Sequence, residues 1–550
     1  MARRNFSSWF SSSSSNSSSR DEAAEIKKLN RRSFAGFSAP SHPFSKNKIS
    51  NGLSGQVATN NGDQPPPMVV HATKTERLST TTSSTTTQAV SETGMASAPV
   101  VKSGGTDGDD PVSMTALADK ISRETAKLEK YLKDNGLPMP DFGVDAADDF
   151  PRLPNEMQKS RLEIIHATRQ LRDLTVGPRE GVRWGVMNFL DVLALGIINN
   201  YGLAKLVPLD RPIALTDLQK LTPLDPVNLA RTLRTAMASH IFTEPSPGII
   251  AHTAASRLLA TDDELSAWVG FNSEDIFPAA GHVVPALRTY PEATSLTRAG
   301  FQHAFNTVDV EPMFATFGKD AGRARRMGRA MASLTGGEGY EVSYFVGACD
   351  LGEVDARGGT FVDIGGSHGF VCVDLAKRWP NMRFVVQDLP KTVESAPKPV
   401  DADQQVAERV EFKAHDFFTK QDVVADVYYF RWIIHNYSTP YAVSILQNLI
   451  PALKPGARII INDHCLREPG QENSWDELIM RRMDMVMLTL LNAQERTEAE
   501  FRELFRLADP RFEFKGVTRT DGCRMSIVEA VWMPEKEGEE EDKGSSEGTA

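Results

Sequence analysis

The chain is poor in cysteine, in positive charge and in long apolar runs. Its 550 residues hold four cysteines, Cys349, Cys372, Cys465 and Cys523, far apart in sequence. None pairs at metal-ligand spacing, so no metal site is expected. Four thiols do not make a disulfide framework, which points to a reduced, cytoplasmic compartment. Lys and Arg number 61 against 72 Asp and Glu, for a net charge of −11. A general nucleic-acid binder would carry a basic patch, so nucleic acid is not an expected partner. No run of eighteen apolar residues occurs, so no membrane span is expected. Residues 1–112 are rich in Ser, Thr, Asn, Gly and Pro, with low-complexity runs at Ser11–Ser15 and Ser79–Thr87. Such a stretch cannot offset its ordering entropy by burial, so a disordered tail is expected. Arg3, Arg4 and Arg20, with no acid among the first twenty residues, faintly resemble a transit peptide. A solvated tail is the preferred reading. Residues 535–550 read as a second, acidic tail.

What remains is ordinary globular material, 40% hydrophobic and 24% charged, and long enough for two or three domains. From Phe361 apolar runs alternate with helical segments. Strands are expected at 361–364, 383–387, 410–413, 425–430, 457–462 and 526–532, giving a doubly wound α/β domain over 346–534. Residues 113–345 read as helical. Leu117, Ile121, Leu128 and Leu132 share a helix face that ends at Asn135-Gly136-Leu137-Pro138. A second helix is expected from about Pro154 to Leu174. Trp184 to Leu206 is so apolar that it reads as a core or dimer-interface helix. Thr216 caps a short helix; Asp225 caps the next, with Pro226 at its first position. A β-ribbon follows around Glu244–Gly248, completing a winged-helix pattern. Such a module can read DNA, here through Arg231 and Arg234, or serve packing and dimerisation. The acidic charge favours the second use.

The most informative segment is Thr360-Phe361-Val362-Asp363-Ile364-Gly365-Gly366-Ser367-His368-Gly369-Phe370. A buried strand runs into a glycine turn and then a helix, so backbone can approach a ligand closely there. The next strand ends in Asp388, about twenty residues on, where a carboxylate can accept both ribose hydroxyls. A dinucleotide fold needs Gly-x-Gly-x-x-Gly, and Ser367 and Phe370 stand where its second and third glycines belong. S-adenosyl-L-methionine (SAM) has the ribose without the pyrophosphate, and fits what is present. A plain tight turn is the simpler alternative for the glycines alone.

Ligands in such sheets lie beyond the carboxyl ends of the strands. That rule gathers Asp363, Gly365, Asp388, Asp416, Arg431 and Asp463 around one crevice. His435 follows the strand 425–430 and has the pKa of a general base. Asp463, at the end of the next strand, and Glu495, ahead of the helix Glu498 to Leu507, can each hold an imidazole tautomer. Asp463 also reads as an ordinary strand end, and Glu495 as part of a capping segment with Thr497 as N-cap. Met480, Met483, Met487 and Leu491 share one face of a helix, as core or as the wall of a pocket.

In this order, these segments resemble the SAM-dependent O-methyltransferases of the plant caffeic acid type and their fungal relatives in secondary metabolism. The likeness spans about residues 150–534 and is strongest from Phe361 to Phe505. It implies that Gly365 and Gly366 line the SAM loop, that Asp388 binds ribose, and that Asp416 and Phe417 flank adenine. It implies a SAM contact from Arg431, a catalytic base in His435, and framing acids in Asp463 and Glu495. It further implies a homodimer formed through the helical domain, and transfer of methyl to a phenol or enol hydroxyl of a small aromatic or polyketide-like metabolite. Asn436 stands where the family often has Asp, and Asp463 where the plant enzymes have Glu. Two other activities fit the same motifs: a SAM- or metabolite-binding regulator that uses the winged helix on DNA, and a SAM-dependent enzyme with a non-methylating reaction.

Overall fold

Ser113 starts the first helix, Met114–Asp134, by accepting the Ala116 N–H at 3.2 Å. Its Leu128 and Leu132 pack on Met157 of the helix Asn155–Val176. A computed structural model describes residues 113–292 and 294–533. The Ser/Thr-rich stretch 1–112 and the acidic stretch 535–550 lie outside the described residues.

The apolar stretch after residue 178 departs from expectation. It forms three short helices, Pro178–Gly185, Phe189–Asn200 and Leu203–Leu206, separated by turns. Residues Pro178–Asn200 are long and apolar enough to cross a bilayer by composition alone, with a mean hydropathy of 1.4. Only Ala194 and Ile198 of the middle helix are buried, while Val182, Trp184, Val186 and Phe189 are at least half exposed. The stretch therefore divides: Ile198, Leu203 and Ala204 belong to a buried core, while its first part is exposed. Apolarity alone does not tell a buried helix from one whose partner is another surface.

Strand β1 (Ile213–Ala214) leads into the helix Leu215–Gln219, whose N-cap is Ala214 rather than Thr216. Asp225 caps the helix Pro226–Met237 by accepting from Val227 N–H at 2.8 Å and Asn228 N–H at 3.1 Å. Strands β2 (Thr243–Ser246) and β3 (Ile249–Ala251) form a hairpin, and β1 joins it antiparallel in the order β1-β3-β2. Leu218, Leu229, Leu233, Phe242 and Ile250 bury the junction. Arg234 donates twice to Glu244 at 2.8 Å, so one of the two arginines available for a DNA backbone is tied across from its helix to the hairpin.

The carboxyl half is one seven-stranded sheet. Its strands are β4 (Thr360–Ile364), β5 (Arg383–Asp388), β6 (Val410–Ala414), β7 (Ala425–Arg431) and β8 (Leu453–Asp463), then β11 (Phe512–Thr518) and β12 (Ser526–Trp532). The order is β11-β12-β8-β7-β4-β5-β6, parallel from β8 through β6, with β12 antiparallel to both neighbours. Every residue of β7 is buried, as a central strand covered on both faces requires. Two further strands, β9 (Cys465–Leu466) and β10 (Arg496–Thr497), make a separate parallel pair. The two halves of the chain share core: Met483, Met487 and Leu491 of the helix Ser474–Leu491 pack with Phe271, Phe301 and Phe317. The methionine stripe is therefore largely core, and its helix also packs against the turn that carries His435.

Candidate active site

The glycine turn sits at the carboxyl end of β4. Gly365 has φ +73° and Gly369 has φ +77°, in the left-handed region that side chains rarely adopt. The Gly365 and Gly366 N–H groups both donate to the Gln387 carbonyl, at 2.8 and 3.1 Å. A Cβ on Gly366 would lie 2.5 Å from Cγ of the buried Asp363 and 2.9 Å from Val386 Cγ1. The loop therefore lies flat on the sheet end. Burial pushes the Asp363 carboxyl up to about 7, and the Asp388 charge adds to that against the Cys372 thiol and Arg431. Asp388 is half-buried; its Oδ2 accepts Ser367 N–H at 2.9 Å and its Oδ1 accepts Leu389 N–H at 2.7 Å. Each oxygen keeps a lone pair for a hydroxyl donor. A Cβ on Gly365 would lie 4.0 Å from Phe417 Cε1, while Asp416 is exposed and caps its own turn by accepting Phe418 N–H at 2.9 Å. Close backbone, a carboxylate with free lone pairs and an aromatic ring across the loop fit a nucleoside.

Arg431 is placed differently. It is buried and donates to the Asn462 side chain and, at 2.6 Å, to the Tyr340 carbonyl. Its Nε has no partner among the described residues.

His435 lies in the 3₁₀ turn Ile434–Asn436 that follows β7. The two framing acids divide the work. Glu495 Oε1 accepts from His435 Nδ1 at 2.9 Å, whereas Asp463 Oδ2 accepts the His435 backbone N–H at 3.0 Å. Glu495 thus fixes the ring and Asp463 fixes the turn. Arg496, almost wholly buried, donates to the carbonyls of Ile434 at 3.1 Å and Tyr437 at 2.7 Å, clamping the same turn. Trp432 enters the turn at φ +57°, an outlying conformation for a bulky residue, and its ring lies 5.0 Å from the His435 ring.

With Nδ1 engaged, Nε2 is the nitrogen free to take a proton. Burial on its own depresses the His435 pKa. The Glu495 charge, its hydrogen bond and the Asp463 charge outweigh that and hold it above the ordinary value. Glu495 is held low although burial opposes it, because two imidazoles face it. Burial raises Asp463.

Three residues here escaped the sequence reading: Arg496, His464 and Tyr340. His464 Nδ1 also reaches Glu495 Oε1, at 3.3 Å, and its Nε2 lies 3.2 Å from the Tyr340 hydroxyl. The β9–β10 pair explains the meeting. It matches Arg496 with Cys465, so Glu495 and His464, each the residue just before its strand, stand side by side. Two two-residue strands leave no period to read. The one available signal was His464 directly following Asp463. Among the described residues no group of three His, Cys, Asp or Glu side chains is arranged to hold a metal.

Residues 296–509 match a family model described as an O-methyltransferase domain. The chain is 64% identical over 420 residues to the chlorophenol O-methyltransferase of Trichoderma longibrachiatum, covering 76% of this chain and 90% of that one. This chain belongs to the O-methyltransferase family. It is also 34% identical over 440 residues to the grayanic acid biosynthesis cluster O-methyltransferase of Cladonia grayi, over 78% of this chain and 92% of the relative. The solved structure of OxaC superposes with a TM-score of 0.61 at 22% identity, over 76% of this chain and 98% of OxaC, and shows the shared fold. The O-methyltransferase uses SAM as methyl donor and acts on small metabolites.

Proposed function

We propose that this O-methyltransferase methylates the hydroxyl of a phenol, chlorinated phenols included, with His435 as general base. The observation that carries the reading is the 2.9 Å contact from His435 Nδ1 to Glu495 Oε1, which leaves Nε2 as the proton acceptor. The name of the 64% identical relative supports the acceptor class. Gly365, Gly366, Asp388 and Phe417 would hold SAM, with Asp416 at the rim and Arg431 behind the crevice. When bound, SAM supplies an electrophilic methyl on a sulfonium.

His435 takes the acceptor's proton as its oxygen becomes nucleophilic. Glu495 stabilises the imidazolium that results, and Asp463 and Arg496 keep the turn from moving. A positioned base of this kind contributes roughly 10²–10⁴-fold. Alignment of the reacting groups supplies much of the remainder. The exposed face around Trp184, Val186 and Phe189 supports assembly as a homodimer through the helical half.

The test is incubation with SAM and a chlorinated phenol, followed by mass spectrometry. The expected product gains one methyl on oxygen, as the anisole. A panel of phenols that gains none, with SAM bound and the protein folded, overturns the acceptor reading.

A further inference from the structure

We infer that His464, backed by Tyr340, is a positioning residue that sets the basicity of His435 by sharing its carboxylate. This rests on the reading of His435 as the base. Oε1 of Glu495 accepts from two imidazoles, His435 Nδ1 at 2.9 Å and His464 Nδ1 at 3.3 Å. An ionised Glu495 can only accept, which puts the His464 proton on Nδ1 and leaves Nε2 to accept from the Tyr340 hydroxyl at 3.2 Å. The chain of contacts therefore selects one tautomer for each ring: both carry a proton on Nδ1, and both give it to one oxygen.

His464 is fully buried and Tyr340 nearly so, and neither lies in the cofactor loop. The Trp432 ring packs against the whole cluster: it lies 5.0 Å from both the His435 and His464 rings and 5.5 Å from Tyr340. The charged groups facing His435 are Glu495, Asp463 and Arg496. Glu495 faces His435 and His464, with Asp484 accepting its backbone N–H at 2.9 Å. Tyr340 faces Arg524 and Asp476 as well as Glu495.

A carboxylate oxygen that serves two donors binds each less strongly than it would bind one. Removing the second donor leaves more of the Glu495 charge to His435. That favours imidazolium, so the base loses its proton at higher pH.

The experiment measures kcat and kcat/KM against pH, with SAM affinity by calorimetry, for His464→Phe, His464→Asn and Tyr340→Phe. Asn places an amide N–H where Nδ1–H was. His464→Phe is expected to move the acid limb up by about half a pH unit and to lower kcat about tenfold, with SAM affinity retained. His464→Asn should restore most of both. Tyr340→Phe, which removes one oxygen and tests the relay should the His464→Phe protein fail to fold, should move the limb the same way by less. Acid limbs that superimpose on wild type in Tyr340→Phe and in whichever His464 variants fold overturn the inference. Full turnover in His435→Ala overturns the base assignment instead, whatever the His464 variants do.

Discussion

Replacing Glu495 with Gln removes one charge and keeps the shape, and it yields a signed prediction. Burial, and to a lesser degree the Arg496 charge, lower the His435 pKa, while the Glu495 charge and hydrogen bond and the Asp463 charge raise it. Burial is the largest of them, and the net shift is upward only because Glu495 adds both a charge and a hydrogen bond. In the Gln variant the amide oxygen can still accept from Nδ1, but the charge is gone. Burial then dominates, and the imidazole becomes easier to deprotonate. The acid limb of kcat against pH should therefore move to lower pH while the plateau falls. The fall follows from the lost charge-assisted hydrogen bond, worth about 1.5–3 kcal/mol, which is roughly 10–150-fold in rate. The assay is initial-rate methyl transfer at saturating SAM from about pH 5 to 9, beside calorimetric titration of SAM. SAM affinity should hold, because Glu495 lies outside the glycine loop. An acid limb that stays in place, or moves up, refutes the assignment of Glu495 as the partner of the base.

Other consequences follow from the same contacts. Gly366→Ala should weaken SAM binding or global stability by about 1–3 kcal/mol, since the new Cβ would meet Asp363 Cγ at 2.5 Å with Val386 behind it; calorimetry and thermal melting read the two effects. Arg496→Lys should lower kcat more than SAM affinity and cost about 1–3 kcal/mol of stability, because one ammonium cannot reach both the Ile434 and Tyr437 carbonyls as the guanidinium does. If the proposed dimer forms through that face, Trp184→Glu with Phe189→Glu should sediment as a 60.5 kDa monomer, with little loss of fold because both side chains are at least half exposed; an unchanged sedimentation coefficient speaks against that face as the interface.

Much of this site was legible in the chain. The strands that carry Asp363, Asp388, Arg431 and Asp463 were read from unbroken apolar runs, which buried parallel strands require. The rule that ligands lie past their carboxyl ends then placed the crevice. The turn at Asp225-Pro226 and the cap at Thr497 declared themselves through side-chain chemistry; Thr497 accepts Glu500 N–H at 3.3 Å. What escaped depended on pairing between distant short pieces. The strand β11 mixes exposed and buried positions and has no strong run. The meeting of Glu495 with His464 rests on a two-residue parallel pair whose members lie 31 positions apart. The choice between Asp463 and Glu495 stayed open in sequence because both lie near His435; only geometry shows one holding the ring and the other the backbone. The stretch 184–206 divides between core at Ile198, Leu203 and Ala204 and an exposed face at Trp184, Val186 and Phe189, a division that composition does not report.

The central claim is that an imidazole at residue 435 removes the acceptor's proton while the donor is held by other residues. Single-turnover transfer of labelled methyl by His435→Ala, with SAM affinity measured on the same preparation, tests it most directly. The account predicts wild-type affinity within about twofold and a rate lower by roughly 10²–10⁴-fold. A variant that binds SAM normally and still transfers methyl at the native rate contradicts it.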